Sequence, residues 1–224
     1  MTPTIRPTVR AAFRGYSEKL EGRTRNPYAD VKGLVTVSVG CIIDPIELAL
    51  RLDWRIGDRA ATQAEVRDDW QTIKAIGPNN RTAASQAALT SIRLTDDGVD
   101  SLLWRRLNAN AEWLRKHLFP GFPELPADAQ LGILSTAWGI GCDVLHTDPP
   151  RPELVDAIAA GDWLAAKVRA KLREAGNKGV IDRNRQQERC FDNAATVAHH
   201  GLDPSVLHWP ALVLPPVDIT SETA

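Results

Sequence analysis

The feature that most constrains this chain is a change of period close to its start. Val9, Phe13, Tyr16 and Leu20 recur at spacings of four, three and four, which sets them on one stripe of a helix over residues 8–21. Gly22 follows and suits the C-cap of such a helix. Asn26-Pro27 then breaks the chain, and Leu34-Val35-Thr36-Val37-Ser38-Val39-Gly40 alternates valine with small or polar residues. That is the period of a half-buried strand. Asp30-Val31-Lys32-Gly33 reads as a tight turn before it. A helix handing over to a small β-hairpin or meander over 27–42 makes the chain α+β.

The rest reads as helical or irregular. Thr62 is placed to cap a helix over 61–75. Val99, Leu102, Leu103, Leu107, Trp113 and Leu114 supply the buried side of a helix over 96–117, and Pro120 and Pro123 mark its end. Further helices are expected over 126–140, 152–160, 162–175 and 181–198, with a loop at Asp148-Pro149-Pro150. No internal repeat is present. Pro204, Pro210, Pro215 and Pro216 predict a non-helical tail over 201–224. Either it packs along the surface through Leu207, Trp209 and Leu212 or it is disordered. Truncation after about residue 200 is therefore expected to leave fold and activity largely intact. A chain of 224 residues suffices for one large domain or two small lobes with a shared core.

Charge narrows the function. A formal net charge of −1 argues against a dedicated nucleic-acid binder. Residues 1–32 carry seven basic and three acidic side chains, an excess that favours approach to a polyanion, although a solvated helix face is the plainer reading. Cys41, Cys142 and Cys190 are odd in number and far apart, so they read as reduced thiols with no metal knuckle among them. The first twenty residues have basic side chains throughout and no apolar centre, and no run of ~18 apolar residues follows. Neither a signal segment nor a membrane anchor is expected. The protein is expected to accumulate in the cytoplasm where it is made.

One cluster of residue types suggests chemistry. Glu21 is the last residue of the first expected helix, at the negative end of its dipole, a position that favours a protonated carboxyl. Asp30 and Thr36 flank the turn through Gly33, on facing strands. Thr36 shares strand parity with Leu34 and Ser38, while Val35, Val37 and Val39 face the core. A carboxylate and a hydroxyl at one cleft can hold a water between them. A proton-donating carboxyl opposite a water-holding group is what glycoside hydrolysis requires. Taken singly, each residue has a plainer role: an exposed glutamate, a turn opener and a strand former.

Together the residues match a pattern. Residues 21–40 (EGRTRNPYADVKGLVTVSVG) resemble the signature of phage-type lysozymes, glycoside hydrolase family 24. That signature is Glu, eight residues, Asp or Cys, five residues, Thr. Gly22, Tyr28, Gly33 and Gly40 agree as well. Residues 130–141 (QLGILSTAWGIG) resemble the helix that lines the family's cleft, and residues 183–191 (RNRQQERCF) its closing helix. The departures are Ser38 where glycine is usual, Cys41 where His or Asn is common, and Trp138-Gly139. Ser38 is expected to narrow the cleft beside Thr36 or to alter how sugar is held.

The resemblance implies a lysozyme-like catalytic domain over 1–200. It would consist of a small β-containing lobe over about 21–60, a linking helix over about 61–75 and a helical lobe over about 76–200. It implies an endolysin that hydrolyses the β-1,4 bond between N-acetylmuramic acid and N-acetylglucosamine, with inversion. Glu21 would protonate the leaving oxygen, Asp30 and Thr36 would position the water, and Ile42 and Trp138 would contact substrate. No metal or cofactor is implied. The implied partner is the peptidoglycan glycan strand, met by a monomer that a holin-like membrane permeabiliser lets through to the wall. Two readings compete: a lytic transglycosylase that uses Glu21 without Asp30 or Thr36, and a non-catalytic or tail-associated peptidoglycan-binding protein.

Overall fold

The computed structural model describes residues 3–79, 81–142, 152–174 and 178–212; the loop at Asp148-Pro149-Pro150 and the prolines at 215 and 216 lie outside them. The chain is α+β and mostly helical, with two small antiparallel sheets. It forms two compact units, Phe13–Ala109 and Met1–Ala12 with Asn110–Ala224. Helices α1 (Pro7–Glu21) and α5 (Asp96–His117) each contribute to both.

The first unit holds the meander. Strands β1 (Thr24–Ala29), β2 (Val35–Ser38) and β3 (Cys41–Ile42) pair antiparallel in that order. Tyr28 faces Thr36, Ala29 faces Val35, and Thr36 faces Ile42 across the ladder. The register slips between Thr24 and Tyr28, where Pro27 cannot donate to a ladder. The alternation in β2 predicts one buried face, but all four of its residues are buried. The two polar ones are compensated by hydrogen bonds. Thr36 Oγ1 donates to the Leu34 carbonyl (3.2 Å) and Ser38 Oγ to the Val99 carbonyl of α5 (2.9 Å).

After the four-residue helix α2 (Ile46–Ala49), a second sheet appears that the sequence reading missed. Strands β4 (Trp54–Ile56), β5 (Arg59–Ala60) and β6 (Arg93–Leu94) pair in the order β5-β4-β6. Two or three residues are too few to display a period. Helix α3 (Gln63–Lys74) begins with a complete capping box: Thr62 Oγ1 accepts from the Glu65 backbone N–H and the Glu65 carboxylate from the Thr62 N–H. The short helix α4 (Ala83–Gln86) follows it, and Gln86 bonds Ala29 of β1 through both ends of its amide. Val66 and Ile73 of α3 enter a core built from Ala29, Val35, Val37, Ile43, Trp54, Ile92, Leu94 and Val99. So α3 packs on β1 and β2 inside this unit. It is not the linker that the resemblance placed at 61–75, and the units do not divide at 60 and 76.

The second unit is helical. Helix α6 (Ala127–Ile140) is buried at every residue from Ala127 to Trp138. Helix α9 (Lys178–His200) packs along it, α8 (Trp163–Ala170) packs on α9, and α7 (Pro152–Ala159) on α8. A methyl group at Gly132 would come within 3.1 Å of the Phe191 ring, so α6 and α9 cross closely there. Helix α8 stops at Ala170, short of the expected 175. Beyond it the Asn184 amide takes up both the N–H and the carbonyl of Leu172 (2.9 and 2.8 Å).

The described part of the tail is non-helical, as its prolines predict, but it is firmly tied. Pro204 O accepts from Ala127 N (2.8 Å) and Ser205 O from Thr8 Oγ1 (2.8 Å). The His208 and Trp209 backbone N–H groups both donate to Asp128 (2.9 Å each), and Trp209 Nε1 donates to Gln186 (2.9 Å). Asp128 is fully buried and also accepts from Asn193 Nδ2 (2.9 Å). Burial pushes its carboxyl above the usual carboxylate range, and these donors pull it part of the way back. The expectation that the chain is dispensable beyond residue 200 is thereby reversed. A buried carboxylate needs donors, and residues 208 and 209 supply two of them.

Candidate active site

The candidate residues of the N-terminal motif all lie in the first unit. Glu21 is the last residue of α1, and Gly22 (φ +75°) ends the helix. The Glu21 carboxyl lies against Gly40, where a Cβ would stand 3.2 Å from Glu21 Oε2. Gly40 is thus required twice, for that space and for its φ of +70°. Its carbonyl accepts a hydrogen bond from the Arg106 guanidinium of α5.

Asp30 serves the turn with one oxygen. Oδ1 accepts from the Lys32 and Leu34 N–H groups, both at 2.8 Å, while the Asp30 backbone bonds Gly33 N and Leu34 O. Oδ2 receives no hydrogen bond among the described residues, which leaves it open to a water. Thr36 is the least accessible of the three. It is 2% exposed and its proton goes to Leu34 O, so only the lone pairs of its hydroxyl remain. Oδ2 of Asp30 and Oγ1 of Thr36 are both acceptors, which suits a water that donates to each.

Tyr28 joins the set. It faces Thr36 across the ladder, and Glu21, Asp30, Cys41 and Arg106 all act on it electrostatically. Burial first, then the charges of Glu21 and Asp30, push its phenol well above the usual range, so it stays protonated. The sequence motif contained Tyr28 as a matching position but gave it no role, and it did not include Arg106 at all. The adjacent pair Arg105-Arg106 at the edge of the apolar stripe of α5 was the available signal.

The turn itself is tightly specified. Gly33 has φ +76°, and a Cβ there would sit 2.7 Å from Pro78 N and 2.8 Å from Gly77 C. Both are backbone atoms that cannot swing aside. Gly33→Ala is expected to cost about 2–4 kcal/mol, from left-handed strain and overpacking together. Urea unfolding monitored by tryptophan fluorescence would read it; a loss below about 0.5 kcal/mol would contradict the geometry.

Ser38 explains its own oddity. It is the non-glycine residue with positive φ (62°) among those described, which is why glycine suits the position. Its hydroxyl is taken up by the Val99 carbonyl of α5. Cys41 is buried, and burial pushes its thiol up against the opposing pull of Arg106. All three cysteines are thiols outside any disulfide, and Cys142 is partly exposed where Cys41 and Cys190 are buried. Iodoacetamide at pH 7.5 is therefore expected to label Cys142 in the native protein and the other two only after unfolding. Rapid native labelling at Cys41 would contradict its burial.

Ile42 is 45% exposed and lines a cleft of about 450 Å³ in the first unit, with Cys41, Ile43, Leu48, Leu52 and Arg106 among its walls. Trp138 differs from expectation. It belongs to the second unit and is 3% exposed, because α6 is covered nearly all round. Its ring is core and offers no free face to a sugar. Among the described residues no cluster of His, Cys, Asp or Glu could hold a metal ion, and no helix is long and apolar enough to cross a membrane. No protein-family model matches the chain and no curated protein matches it, so the assignment of this site rests on its residues and their geometry.

Proposed function

We propose that the protein is a lysozyme-like glycoside hydrolase that cleaves the β-1,4 bond between N-acetylmuramic acid and N-acetylglucosamine in peptidoglycan. The observation that carries this reading is the gathering of Glu21, Asp30 and Thr36 around Tyr28 and Gly40, in the order and spacing of the phage-type lysozyme signature. Glu21 gives its proton to the glycosidic oxygen as the bond from that oxygen to the anomeric carbon breaks. Asp30 Oδ2 accepts a proton from the attacking water, whose oxygen bonds the anomeric carbon from the opposite face, which inverts it. Tyr28, neutral and half-buried, faces Thr36 across the ladder and brings no charge of its own to the two carboxyl groups. Incubation of the purified protein with dye-labelled sacculi in the presence of a chelator tests the reading. Release of soluble dye is the expected result. Binding to the sacculi without release would mean a non-catalytic wall-binding protein.

The near-complete burial of Thr36 favours one further reading, a lytic transglycosylase. Such an enzyme needs Glu21 but no water held at Thr36, and it closes an anhydro ring on the muramic acid instead.

A further inference from the structure

Leu34 is the pivot between Asp30 and Thr36. Its N–H donates to Asp30 Oδ1 (2.8 Å), and its carbonyl accepts from Asp30 N (3.0 Å) and Thr36 Oγ1 (3.2 Å). The two peptide units on either side of its Cα therefore hold both groups assigned to the water. Each unit is planar, so an anchor at its far end fixes the aim of the near end. The Gly33 carbonyl is the far end of the unit that holds Asp30 Oδ1. The Val35 N–H is the far end of the unit that holds Thr36.

Both far ends are taken by one ion pair from outside the turn. Lys74 Nζ, on the last residue of α3, donates to Gly33 O (3.2 Å). Asp44 Oδ2, one residue beyond Ile43, accepts from Val35 N (3.3 Å). Lys74 Nζ also donates to Asp44 Oδ2, which closes the clamp. The clamp is itself braced. Lys74 Nζ stands 5.9 Å from the centre of the Trp70 ring, and Trp70 Nε1 donates to the Ile43 carbonyl (3.0 Å). The turn has its own closing bonds, from Lys32 N to Asp30 Oδ1 and from Gly33 N to Asp30 O. What the ion pair adds is the orientation of the two peptide planes at Leu34.

We propose that Lys74 and Asp44 are positioning residues for the hydrolysis, and that their ion pair sets the aim of Asp30 Oδ2 and Thr36 Oγ1 on one water. The inference rests on the lysozyme reading, in which those two groups hold the attacking water. Neither Lys74 nor Asp44 touches the reacting atoms. A water held off line is badly placed to attack, while the sugar keeps its contacts. The loss therefore falls on kcat and leaves KM unchanged.

Lys74→Met keeps the aliphatic stem beside Trp70 and removes the donor. Steady-state rates on soluble peptidoglycan strands, with circular dichroism to verify folding, should show kcat lower by about 10–100-fold, the scale on which small misplacements act. KM should not change. Lys74→Arg returns the charge and the donors and should recover most of the loss. Amide exchange followed by NMR gives a readout independent of activity. The Leu34 N–H should exchange faster in Lys74→Met, while the Ala61 N–H, bonded to Trp54 O in the second sheet, should not. An unchanged Leu34 exchange rate, an unchanged kcat, or a Lys74→Arg no more active than Lys74→Met overturns the clamp and leaves the lysozyme reading standing. Failure of the parent to cleave the strands overturns both.

Discussion

Glu21→Gln is expected to lower peptidoglycan turnover by about 10²–10⁴-fold or to background, because it removes the general acid. The amide has the shape of the carboxyl, so the close approach to Gly40 survives and the fold should be retained. Asp30→Asn is the companion. Its amide oxygen can still accept from Lys32 N and Leu34 N, which preserves the turn, while an NH₂ group replaces the open Oδ2. The substitution thus removes the acceptor for the attacking water without unfolding the hairpin, and activity should again fall severely. Thr36→Val should cost least of the three, since it removes a hydroxyl whose proton is already spent on Leu34 O. Initial rates on labelled sacculi, with circular dichroism to verify folding, would check all three. Near-parental turnover in Glu21→Gln would remove the basis for the whole site.

The second large effect is on stability and concerns Asp128. Its two carboxylate oxygens accept from Asn193, His208 and Trp209 inside a closed environment. Asp128→Asn keeps the volume but turns one acceptor into a donor facing an N–H group. A buried polar conflict of this kind costs about 2–4 kcal/mol, or roughly 5–15 °C in Tm for a chain of this size. Limited proteolysis should then cut within 201–212, which the parent protects. An unchanged Tm together with an intact tail would show that Asp128 does not hold the segment.

The long elements were legible because their periods are long. The helix over 96–117 was bounded at both ends by its apolar stripe and the prolines beyond it, and α3 by the cap at Thr62. The second sheet was not legible, since Arg59–Ala60 and Arg93–Leu94 are too short to show alternation, and the latter pairs with β4 across more than thirty residues. The division of the chain was misread for a related reason: nothing in the pattern of Val66 and Ile73 says which core they enter. The meander and its turn were legible from Asp30, Gly33 and the valines. Tyr28 and Arg106 were not assigned, because their roles arise from strand register and from a contact that spans 66 residues of chain. Trp138 was misassigned since an aromatic residue on an apolar helix looks the same in sequence whether it lines a cleft or fills a core.

The account is tested most directly by the sugar ends it leaves. Purified peptidoglycan digested with the parent protein, reduced with borohydride and analysed by mass spectrometry should yield fragments ending in reduced N-acetylmuramic acid. That is the mark of water added across the bond that Glu21 protonates. Fragments ending in anhydro-muramic acid would instead identify a transglycosylase, and reduced N-acetylglucosamine ends would place the cut at the other linkage. Either result would contradict a muramidase whose water is held by Asp30 and Thr36.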